Sequence, residues 1–358
     1  MKNSSKEEFK LFSDPLRFYN AMLDDIAKAK KYIYIETFKF ANDSIGIKFR
    51  DLLIIKAKEG VEIKLLLDSW GSTAKEYFFN ELINHSGEVR YFEKIKLNWD
   101  IFTKGHKRNH RKIMIIDDEI VYIGSANYTN YSLNWRESVL RIQNDLAIPF
   151  KNVFLQQYNI YNKYVFDKKS FLKNIRHKNF EIIRDLPSIT IQNIKKRYIK
   201  LIKSAKKEIL IATPYFLPSF IFRKALMEAA QKGITVKIFT SRHSDVQIVD
   251  VLRSKYLGIL HKAGVKIFFY LPHNLHAKLI LVDKRIFSIG SPNIDYRSFR
   301  YMHELCLIGR ESCIIKQIIE HFSETEKYSM PFNYEIWEKR LLIQKIFEWL
   351  LVPLRYLL

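Results

Sequence analysis

Two stretches of the chain carry the same reactive side chains at the same spacing. Each has a histidine, a lysine two residues later and an aspartate five residues after that lysine, followed by a serine and an asparagine. The members are His110, Lys112, Asp117, Ser125 and Asn127 in the first stretch and His276, Lys278, Asp283, Ser291 and Asn293 in the second. Every pair is 166 residues apart (110 to 276, for example), and the glutamates that follow, Glu137 and Glu304, are 167 apart. Chance does not produce that register, so we interpret the stretches as copies of one unit.

The spacing indicates which side chains act together. Residues two apart on a strand face the same side, so each histidine points with its lysine and each serine with its asparagine. Between these pairs, an apolar run, a short polar turn and a second apolar run predict a β-hairpin. Each copy therefore presents one imidazole, one ammonium, one hydroxyl and one amide to a small volume.

Such a set suits the cleavage and formation of phosphodiester bonds. That chemistry needs a nucleophile for phosphorus, donors for the non-bridging oxygens and an acid for the leaving oxygen. A neutral imidazole is a competent nucleophile, and a second imidazole, with an ordinary pKa of about 6.5, suits proton transfer at neutral pH. We predict that the phosphoryl oxygens are held by the lysines, asparagines and serines: Lys112, Lys278, Asn127, Asn293, Ser125 and Ser291. The scheme uses no metal and no cofactor.

The segments in front of the two motifs also repeat. Residues 29–67 run through Ala-Lys-Lys, an alternating strand, a helical stretch and then Gly60 with a β-branched run. Residues 205–239 follow the same order, with Gly233 in the place of Gly60. Strand, helix and strand in succession favour an α/β lobe whose sheet is covered by helices. The sequence therefore predicts two tandem α/β lobes.

A chain of 358 residues exceeds what one hydrophobic core usually organises, which agrees with two lobes. We predict a first lobe, a connecting segment with some helix, a second lobe and an amphipathic membrane-associating tail: 1–150, 151–190, 191–325 and 326–358. The tail combines tryptophan and leucines with lysines and arginines, as interfacial helices do. A plain helix docked on the protein is the alternative for that segment.

The charge of the chain predicts an anionic partner. Lysine and arginine number 60 against 38 aspartates and glutamates, which gives a formal charge of +22. Nucleic acid, an anionic membrane and a phosphorylated small substrate all fit such a charge. A basic cluster beside the first histidine either lies in a solvated loop or attracts such a substrate: Lys104, Lys107, Arg108, Arg111 and Lys112.

Three features bear on where the protein works. Cys306 and Cys313 are too few for a disulfide framework and lack zinc-site spacing, which favours a reducing compartment. Residues 1–14 lack the apolar run of a secretory signal. No uninterrupted apolar stretch approaches the roughly 18 to 20 residues that cross a bilayer. We expect a peripheral protein on the cytoplasmic face of the cell membrane, and the sequence leaves its oligomeric state open.

The doubled His-x-Lys-x-x-x-x-Asp motif, with Gly-Ser-x-Asn downstream, resembles the phospholipase D superfamily over residues 15–325. The resemblance implies two phospholipase D-like α/β/α lobes related by pseudo-twofold symmetry, with one active site at their interface. It also implies that one histidine becomes phosphorylated while the other acts as acid and then base, and we assign attack to His110 and proton transfer to His276. Glu137 and Glu304 match positions that orient the histidine of the opposite motif. Asp117 and Asp283 complete the catalytic motifs, as structural supports at the strand ends.

Features outside the motif favour a lipid substrate. An aromatic, proline-punctuated stretch at 213–222 suits contact with acyl chains at a site mouth, or else packs as a buried loop. The second motif and its flank, Gly-Ser-Pro-Asn-Ile-Asp-Tyr-Arg-Ser-Phe at 290–299, look like bacterial cardiolipin synthases of the short form without N-terminal transmembrane helices. That resemblance implies transfer of a phosphatidyl group between two phosphatidylglycerol molecules, with release of glycerol.

Two other activities stay open at this point. A phospholipase D-type hydrolase uses the same motif with water as the acceptor. An endonuclease of the superfamily also suits a charge of +22. Nuclease members are often shorter, single-motif dimers without an apolar tail, so nucleic acid is the less favoured partner and an anionic phosphatidylglycerol membrane the expected one.

Overall fold

Two β-sheets organise the structure, a computed structural model that describes residues 8–93, 107–163 and 165–353. The strands are β1 Glu8–Phe12, β2 Tyr32–Thr37, β3 Glu62–Asp68, β4 Glu88–Phe92, β5 Arg108–Asn109, β6 Ile113–Ile116, β7 Ile120–Gly124, β8 Val139–Gln143, β9 Ile175–His177, β10 Phe180–Asp185, β11 Glu208–Ala212, β12 Thr235–Ser241, β13 Lys266–Tyr270, β14 Leu279–Val282, β15 Ile286–Gly290, β16 Met302–Gly309 and β17 Ser329–Pro331. The helices are α1 Pro15–Lys28, α2 Ser44–Lys58, α3 Asn80–Asn84, α4 Ala147–Ile160, α5 Lys168–Phe171, α6 Asn193–Ser204, α7 Phe220–Gln231, α8 Gln247–Lys262, α9 Tyr296–Tyr301, α10 Ser312–Lys327, α11 Tyr334–Glu338 and α12 Leu342–Leu350.

The two sheets share one topology. The first has the order β1-β8-β7-β6-β2-β3-β4, and the second contains β17-β13-β12-β11-β14-β15-β16-β10-β9. In each sheet three strands in front of the motif run parallel, β2-β3-β4 and β11-β12-β13. The antiparallel hairpins β6-β7 and β14-β15 follow, as the sequence predicts. The predicted pair of α/β lobes is therefore confirmed.

Local sequence explains how these elements form. Strand β2 is buried along its whole length, with Tyr32 and Tyr34 in one hydrophobic core and Ile33 and Ile35 in another. Helix α2 is capped by Asp43, whose carboxylate accepts hydrogen bonds from the first backbone amides of the helix. Helices α2 and α7 are both followed by a glycine with a positive φ, +87° at residue 60 and +83° at residue 233.

Helices cover both faces of each sheet. Helices α1 and α2 pack on the outer face of the first sheet, and α6, α7 and α8 pack on the outer face of the second. A third core lies between the sheets, where α4 and α10 pack against strands of both lobes. Because the lobes share this core, their relative position is fixed by apolar packing.

The segment 151–190 is more than a connection, which corrects the predicted boundary. Its first ten residues belong to α4, and β9 and β10 join the second sheet. Strand β10 pairs with β16 along all of its residues, with Phe180 and Ile182 in the central core and Ile183 in the outer core. The second lobe thus begins before residue 191. The segment 326–358 likewise includes the end of α10 and β17, which pairs with β13.

Among the described residues, no helix combines the length and the apolar content needed to cross a bilayer.

Candidate active site

The two motifs converge on one cavity. His110 and Lys112 lie between β5 and β6, and His276 and Lys278 directly precede β14, so both pairs stand just before a hairpin rather than inside it. The serines and asparagines follow β7 and β15, the second strands of the hairpins, and so lie at the same open end of each hairpin as the histidines. Both histidines and both asparagines line a cavity of about 290 Å³: His110, His276, Asn127 and Asn293.

Backbone pairing across the lobes holds the histidines in place. Strand β5 pairs in parallel with β16, and the amide of His110 donates to the carbonyl of His303 at 3.0 Å. In the other half, the amide of His276 donates to the carbonyl of Arg136 at 2.8 Å. Each histidine is therefore docked on a segment of the opposite lobe. In both cases the residue that follows the bonded carbonyl is the motif glutamate, Glu304 or Glu137.

Each histidine bonds to that glutamate. Nδ1 of His110 lies 2.9 Å from Oε1 of Glu304, and Nδ1 of His276 lies 2.9 Å from both carboxylate oxygens of Glu137. This is the contact that the family resemblance implies. With Nδ1 engaged, Nε2 is the ring nitrogen left for chemistry in the cavity.

The motif serines bond to the motif glutamates. The hydroxyl of Ser125 donates to Glu137, and that of Ser291 donates to Glu304. Both serines are buried beneath the cavity. In this structure they hold the glutamates, which in turn bond to the histidines.

Burial makes the two histidine–glutamate pairs electrostatically unequal. Burial, together with the charges of Lys112 and Lys278, lowers the pKa of His110 well below its ordinary value. Burial also lowers the pKa of His276, but here Glu137 opposes the shift. The carboxyl groups differ as well: burial raises the pKa of Glu304 to about 7, whereas in Glu137 the effect of burial is outweighed by His276 and Lys278, and the pKa is lowered. At neutral pH His110 is thus a neutral imidazole, the form in which nitrogen can attack phosphorus.

The motif lysines are buried beside the histidines. Nζ of Lys112 donates to the carbonyl of His110 at 2.7 Å, and Nζ of Lys278 donates to the carbonyl of His276 at 2.9 Å. Burial lowers the pKa of Lys112 to about 7, with the charge of Lys278 adding to the effect, and burial lowers the pKa of Lys278 to about 8. An anionic phosphodiester would favour the charged form of both groups.

Comparisons with known proteins agree with this arrangement. The family model described as cardiolipin synthase, PLD-like domain, matches residues 22–159 and 198–325. The chain is 33% identical over 361 residues to a cardiolipin synthase of Clostridium perfringens, covering 96% of this chain and 76% of that protein. It is 34% identical over 346 residues to the major cardiolipin synthase ClsA of Bacillus subtilis, covering 92% of this chain and 71% of that protein. The chain belongs to the cardiolipin synthase family of phospholipase D-like proteins.

Two solved structures have a fold similar to that of this chain. A phosphatidylserine synthase from Haemophilus influenzae superposes with a TM-score of 0.77 at 14% identity, covering 98% of this chain and 94% of that one. A polyphosphate kinase from Porphyromonas gingivalis superposes with a TM-score of 0.60 at 11% identity, covering 87% and 46% of the two chains. At these identities the likeness concerns the fold, and it agrees with the two phospholipase D-like lobes of this family member.

The motif aspartates lie away from the histidines of this cardiolipin synthase-like site. Asp117 accepts hydrogen bonds from the backbone amides of Lys30, Lys31 and Tyr32 at 2.6 to 2.8 Å. Asp283 makes the same contacts with the amides of residues 206–208. Both aspartates have positive φ angles, at the turn of their hairpin. Their contacts are those of structural supports that tie each hairpin to the start of the neighbouring strand, β2 or β11.

Two arginines of the basic cluster are buried instead of solvated. Arg108 is fully buried, and its guanidinium bonds to the carboxylate of Asp68 at 2.8 to 3.1 Å. Arg111 is fully buried as well, within the electrostatic reach of Glu36 and Glu304. Arg108 thus forms an ion pair with a buried carboxylate, and neither arginine lies in a solvated loop. Lys104 lies outside the described residues.

Sequence reasoning missed the walls of the cavity. The ring of Phe38 meets that of His110 edge-on at 5.3 Å, and the ring of Trp135 lies 5.0 Å from that of His276. Tyr215 and Asp245 line the wall on the second-lobe side. A signal was present for three of them, because Phe38, Tyr215 and Asp245 follow the carboxyl ends of strands β2, β11 and β12, where ligands of open α/β sheets bind.

The aromatic stretch at 213–222 is partly buried and partly exposed, so each of the two predicted alternatives, a buried loop and an exposed apolar contact, describes some of its residues. Phe216, Leu217 and Phe222 are fully buried in the outer core of the second lobe. Phe220 and Ile221, at the start of α7, are exposed.

Proposed function

We propose that this protein is a phosphatidyltransferase that makes cardiolipin from two phosphatidylglycerol molecules and releases glycerol, through a covalent phosphohistidine. The observation that carries the proposal is the pair of histidines at one cavity, each bonded to a glutamate of the other lobe. Membership in the cardiolipin synthase family supports the choice of lipid and of transfer.

In the first step, Nε2 of His110 attacks the phosphorus of one phosphatidylglycerol. The bond from phosphorus to the headgroup glycerol oxygen breaks, and His276 gives that oxygen a proton. Lys112 and Lys278 stabilise the charge on the non-bridging oxygens, with the amide groups of the two asparagines. Because these donors are held in place before the substrate arrives, little reorganisation accompanies the reaction.

In the second step, a headgroup hydroxyl of another phosphatidylglycerol attacks the phosphohistidine. A phosphorus–oxygen bond forms, the phosphorus–nitrogen bond to His110 breaks, and His276 takes the hydroxyl proton. Water in place of this alcohol would give phosphatidic acid, the product of a hydrolase. The unequal pKa shifts support this division of roles, since the pKa of His110 is lowered well below its ordinary value whereas Glu137 opposes the lowering of the pKa of His276 by burial.

The proposed partner is an anionic phospholipid membrane on the cytoplasmic side, which the protein meets through helix α12. The helix exposes its apolar residues and buries the polar Glu348, whereas an ordinary surface helix does the reverse. The exposed apolar residues are Leu342, Ile343, Ile346, Phe347, Trp349 and Leu350. Such a contiguous apolar surface suits a lipid interface, and the positive charge of the protein adds attraction to anionic headgroups. Residues 354–358 of the predicted tail lie outside the described residues.

The protein itself fixes the orientation of this helix. The indole of Trp337 donates to the carbonyl of Ser254 on α8 at 2.8 Å, and the guanidinium of Arg340 lies 3.7 Å from the Trp337 ring centroid. Arg340 also bonds to the buried carboxylate of Glu348 at 2.8 and 2.9 Å. Helix α8, on which the tail docks, starts beside Val246 and Val249 of the cavity wall. A membrane under α12 would therefore lie near the cavity.

The test is mass spectrometry of the products formed from phosphatidylglycerol vesicles by the protein and by its His110→Ala variant. Cardiolipin and glycerol with the protein, and neither with the variant, is the expected result. Phosphatidic acid alone would indicate a hydrolase. No change in the lipid with a folded protein would overturn the proposal, and cleavage of nucleic acid would then be examined.

A further inference from the structure

The two walls of the cavity differ in chemistry although its floor is symmetric. On the first-lobe side, the groups beside Phe38 and Trp135 are a cation and hydroxyls, Lys39, Thr129, Tyr131 and Ser132. On the second-lobe side two carboxylates, Asp245 and Asp295, line the cavity together with the cation Arg297. Oδ1 of Asp295 accepts a hydrogen bond from the backbone amide of Ser298 at 2.6 Å, and Asp295 lies within the electrostatic reach of Arg297. Asp245 is the exposed carboxylate of this wall, whereas Asp295 is buried.

Asp245 is held beside the histidine that handles the alcohol proton. Its Oδ1 accepts hydrogen bonds from the hydroxyl of Tyr215 at 2.7 Å and from the side-chain amide of Asn274 at 3.1 Å. Asn274 is two residues before His276, and its other amide atom accepts a hydrogen bond from Ser241. Among the residues that the structure describes, none donates to Oδ2 of Asp245.

We propose that Asp245 and Tyr215 form the recognition site for the acceptor alcohol, which selects a vicinal diol, the glycerol headgroup, over water and monoalcohols. An ionised carboxylate only accepts hydrogen bonds, so Oδ2 suits a hydroxyl and disfavours a phosphate. The Tyr215 hydroxyl donates to Asp245 and keeps its lone pairs for a second hydroxyl. This inference rests on the proposed transfer reaction and names what determines its acceptor.

The site fits the second step of that reaction. The terminal hydroxyl of the glycerol headgroup forms the new bond to phosphorus, the bond to His110 breaks, and the proton goes to His276. The neighbouring secondary hydroxyl meanwhile donates to Asp245. Water and monoalcohols lack this second hydroxyl and would leave Oδ2 of the exposed Asp245 to solvent, so they lack the charge-assisted hydrogen bond to the acceptor in the transition state.

The experiment offers equal concentrations of 1,2-propanediol and 1-propanol to the protein on phosphatidylglycerol vesicles. The two alcohols differ only by the secondary hydroxyl, and mass spectrometry gives the ratio of phosphatidylpropanediol to phosphatidylpropanol. We expect the protein to favour the diol by about tenfold or more, since a hydrogen bond to a charged group discriminates at that level. Asp245→Ala should bring the ratio close to one, and Tyr215→Phe should lower it part of the way.

The ratio does not depend on how much of a variant is folded, because both products come from the same molecules. Asp51→Asn, at an exposed aspartate paired with Arg50, is the control and should keep the ratio of the unmodified protein. A slower reaction with an unchanged ratio in Asp245→Ala would overturn the inference, since Asp245 would then act only through His276. If the unmodified protein forms neither these products nor cardiolipin, the proposed function itself fails.

Discussion

Glu304 of the second lobe accepts a hydrogen bond from Nδ1 of His110 in the first lobe at 2.9 Å. The reciprocal bond joins Glu137 and His276. Neither lobe therefore contains a complete histidine–carboxylate pair, although each contains a complete sequence motif. The apolar core shared by the sheets keeps the pairs together, so the packing of the lobes is a condition of catalysis.

The first prediction concerns this carboxylate. Glu304→Gln keeps the size of the side chain but replaces the carboxyl group that bonds to Nδ1 and orients His110. By the logic of other histidine–carboxylate pairs, kcat should fall by about 10²- to 10⁴-fold with little change in KM. Steady-state kinetics on phosphatidylglycerol vesicles gives both numbers. Glu320→Gln, at an exposed position on α10, is the matched control. Full activity in Glu304→Gln would show that the pair does not orient the nucleophile.

The second prediction separates the two histidines. A phosphatidyl donor with a good leaving group does not need acid catalysis in the first step. His276→Ala should therefore still become phosphorylated and then turn over slowly, because no base activates the acceptor. His110→Ala should form no covalent intermediate. The measurement is the amount of acid-labile label on each variant, with the labelled residue located by peptide mass spectrometry. Label on His276 in the His110→Ala variant would reverse the assignment of the two roles.

The sequence predicted the fold to the extent that local patterns encode it. The alternation in Tyr32-Ile33-Tyr34-Ile35 and the positions of Gly60 and Gly233 are local, and both are as expected in the structure. The membership of β10 in the second sheet depends on pairing with β16, which lies more than 100 residues away. Such a pairing leaves no local signal beyond a short apolar run, so the segment around it was interpreted as a connection.

The residues of the candidate site were also predictable only where the sequence itself carries a pattern. The repeated register was enough to choose the histidines, lysines and glutamates, which the structure brings together. The contacts of Ser125 and Ser291 were not predictable, because a buried hydroxyl bonds to whichever acceptor the fold places beside it. The charge of Arg108 suggested a solvated or substrate-attracting residue. Its side chain instead pairs with the buried Asp68, which lies far away in the sequence and leaves no signal near Arg108.

The third prediction is the pH dependence of the reaction. Lys112, with a pKa of about 7, and Lys278, with a pKa of about 8, lose their positive charges in the free enzyme as the pH rises. kcat/KM should therefore fall as the pH rises to about 8, because the free enzyme then binds the phosphodiester less well and because His276, whose pKa burial lowers, loses the proton that the leaving oxygen takes. A bound anionic substrate raises both pKa values, so the alkaline limb of kcat should lie at a higher pH. The acid limb should lie well below pH 6.5, since burial keeps His110 neutral there.

Profiles of kcat and kcat/KM between about pH 5 and 10 test this prediction. Binding of inorganic phosphate to the resting enzyme should weaken over the same alkaline range. A kcat/KM that is flat up to pH 9 would contradict the lowered pKa values of the lysines.

The fourth prediction concerns helix α12. Leu342→Ser combined with Ile343→Ser removes two exposed apolar side chains, with exposures of 73% and 59%, without touching the core. Binding to phosphatidylglycerol vesicles in a sedimentation assay should drop by about tenfold, because each lost side chain takes away apolar area that lipid would cover. Activity on a short-chain substrate dissolved as monomers should be unchanged.

The matched control for α12 is Leu16→Ser combined with Ile189→Ser. These residues have similar exposures, 55% and 67%, at other places on the surface. Equal binding by the two double variants would mean that the membrane meets a different face of the protein.

The last prediction tests the supporting role of the motif aspartates. Asp117→Ala removes a carboxylate that accepts three backbone amides, and it places alanine at a φ of +55°. The free energy of unfolding should fall by about 2 kcal/mol or more, because hydrogen bonds to a charged acceptor are lost and alanine tolerates that φ poorly. Urea unfolding should show a lower midpoint with an unchanged slope. Asp24→Ala, at an exposed position on α1, should leave the midpoint where it is. Activity per folded Asp117→Ala molecule should stay the same, since Asp117 touches neither histidine; a loss of kcat in fully folded protein would instead place this aspartate in the catalytic machinery.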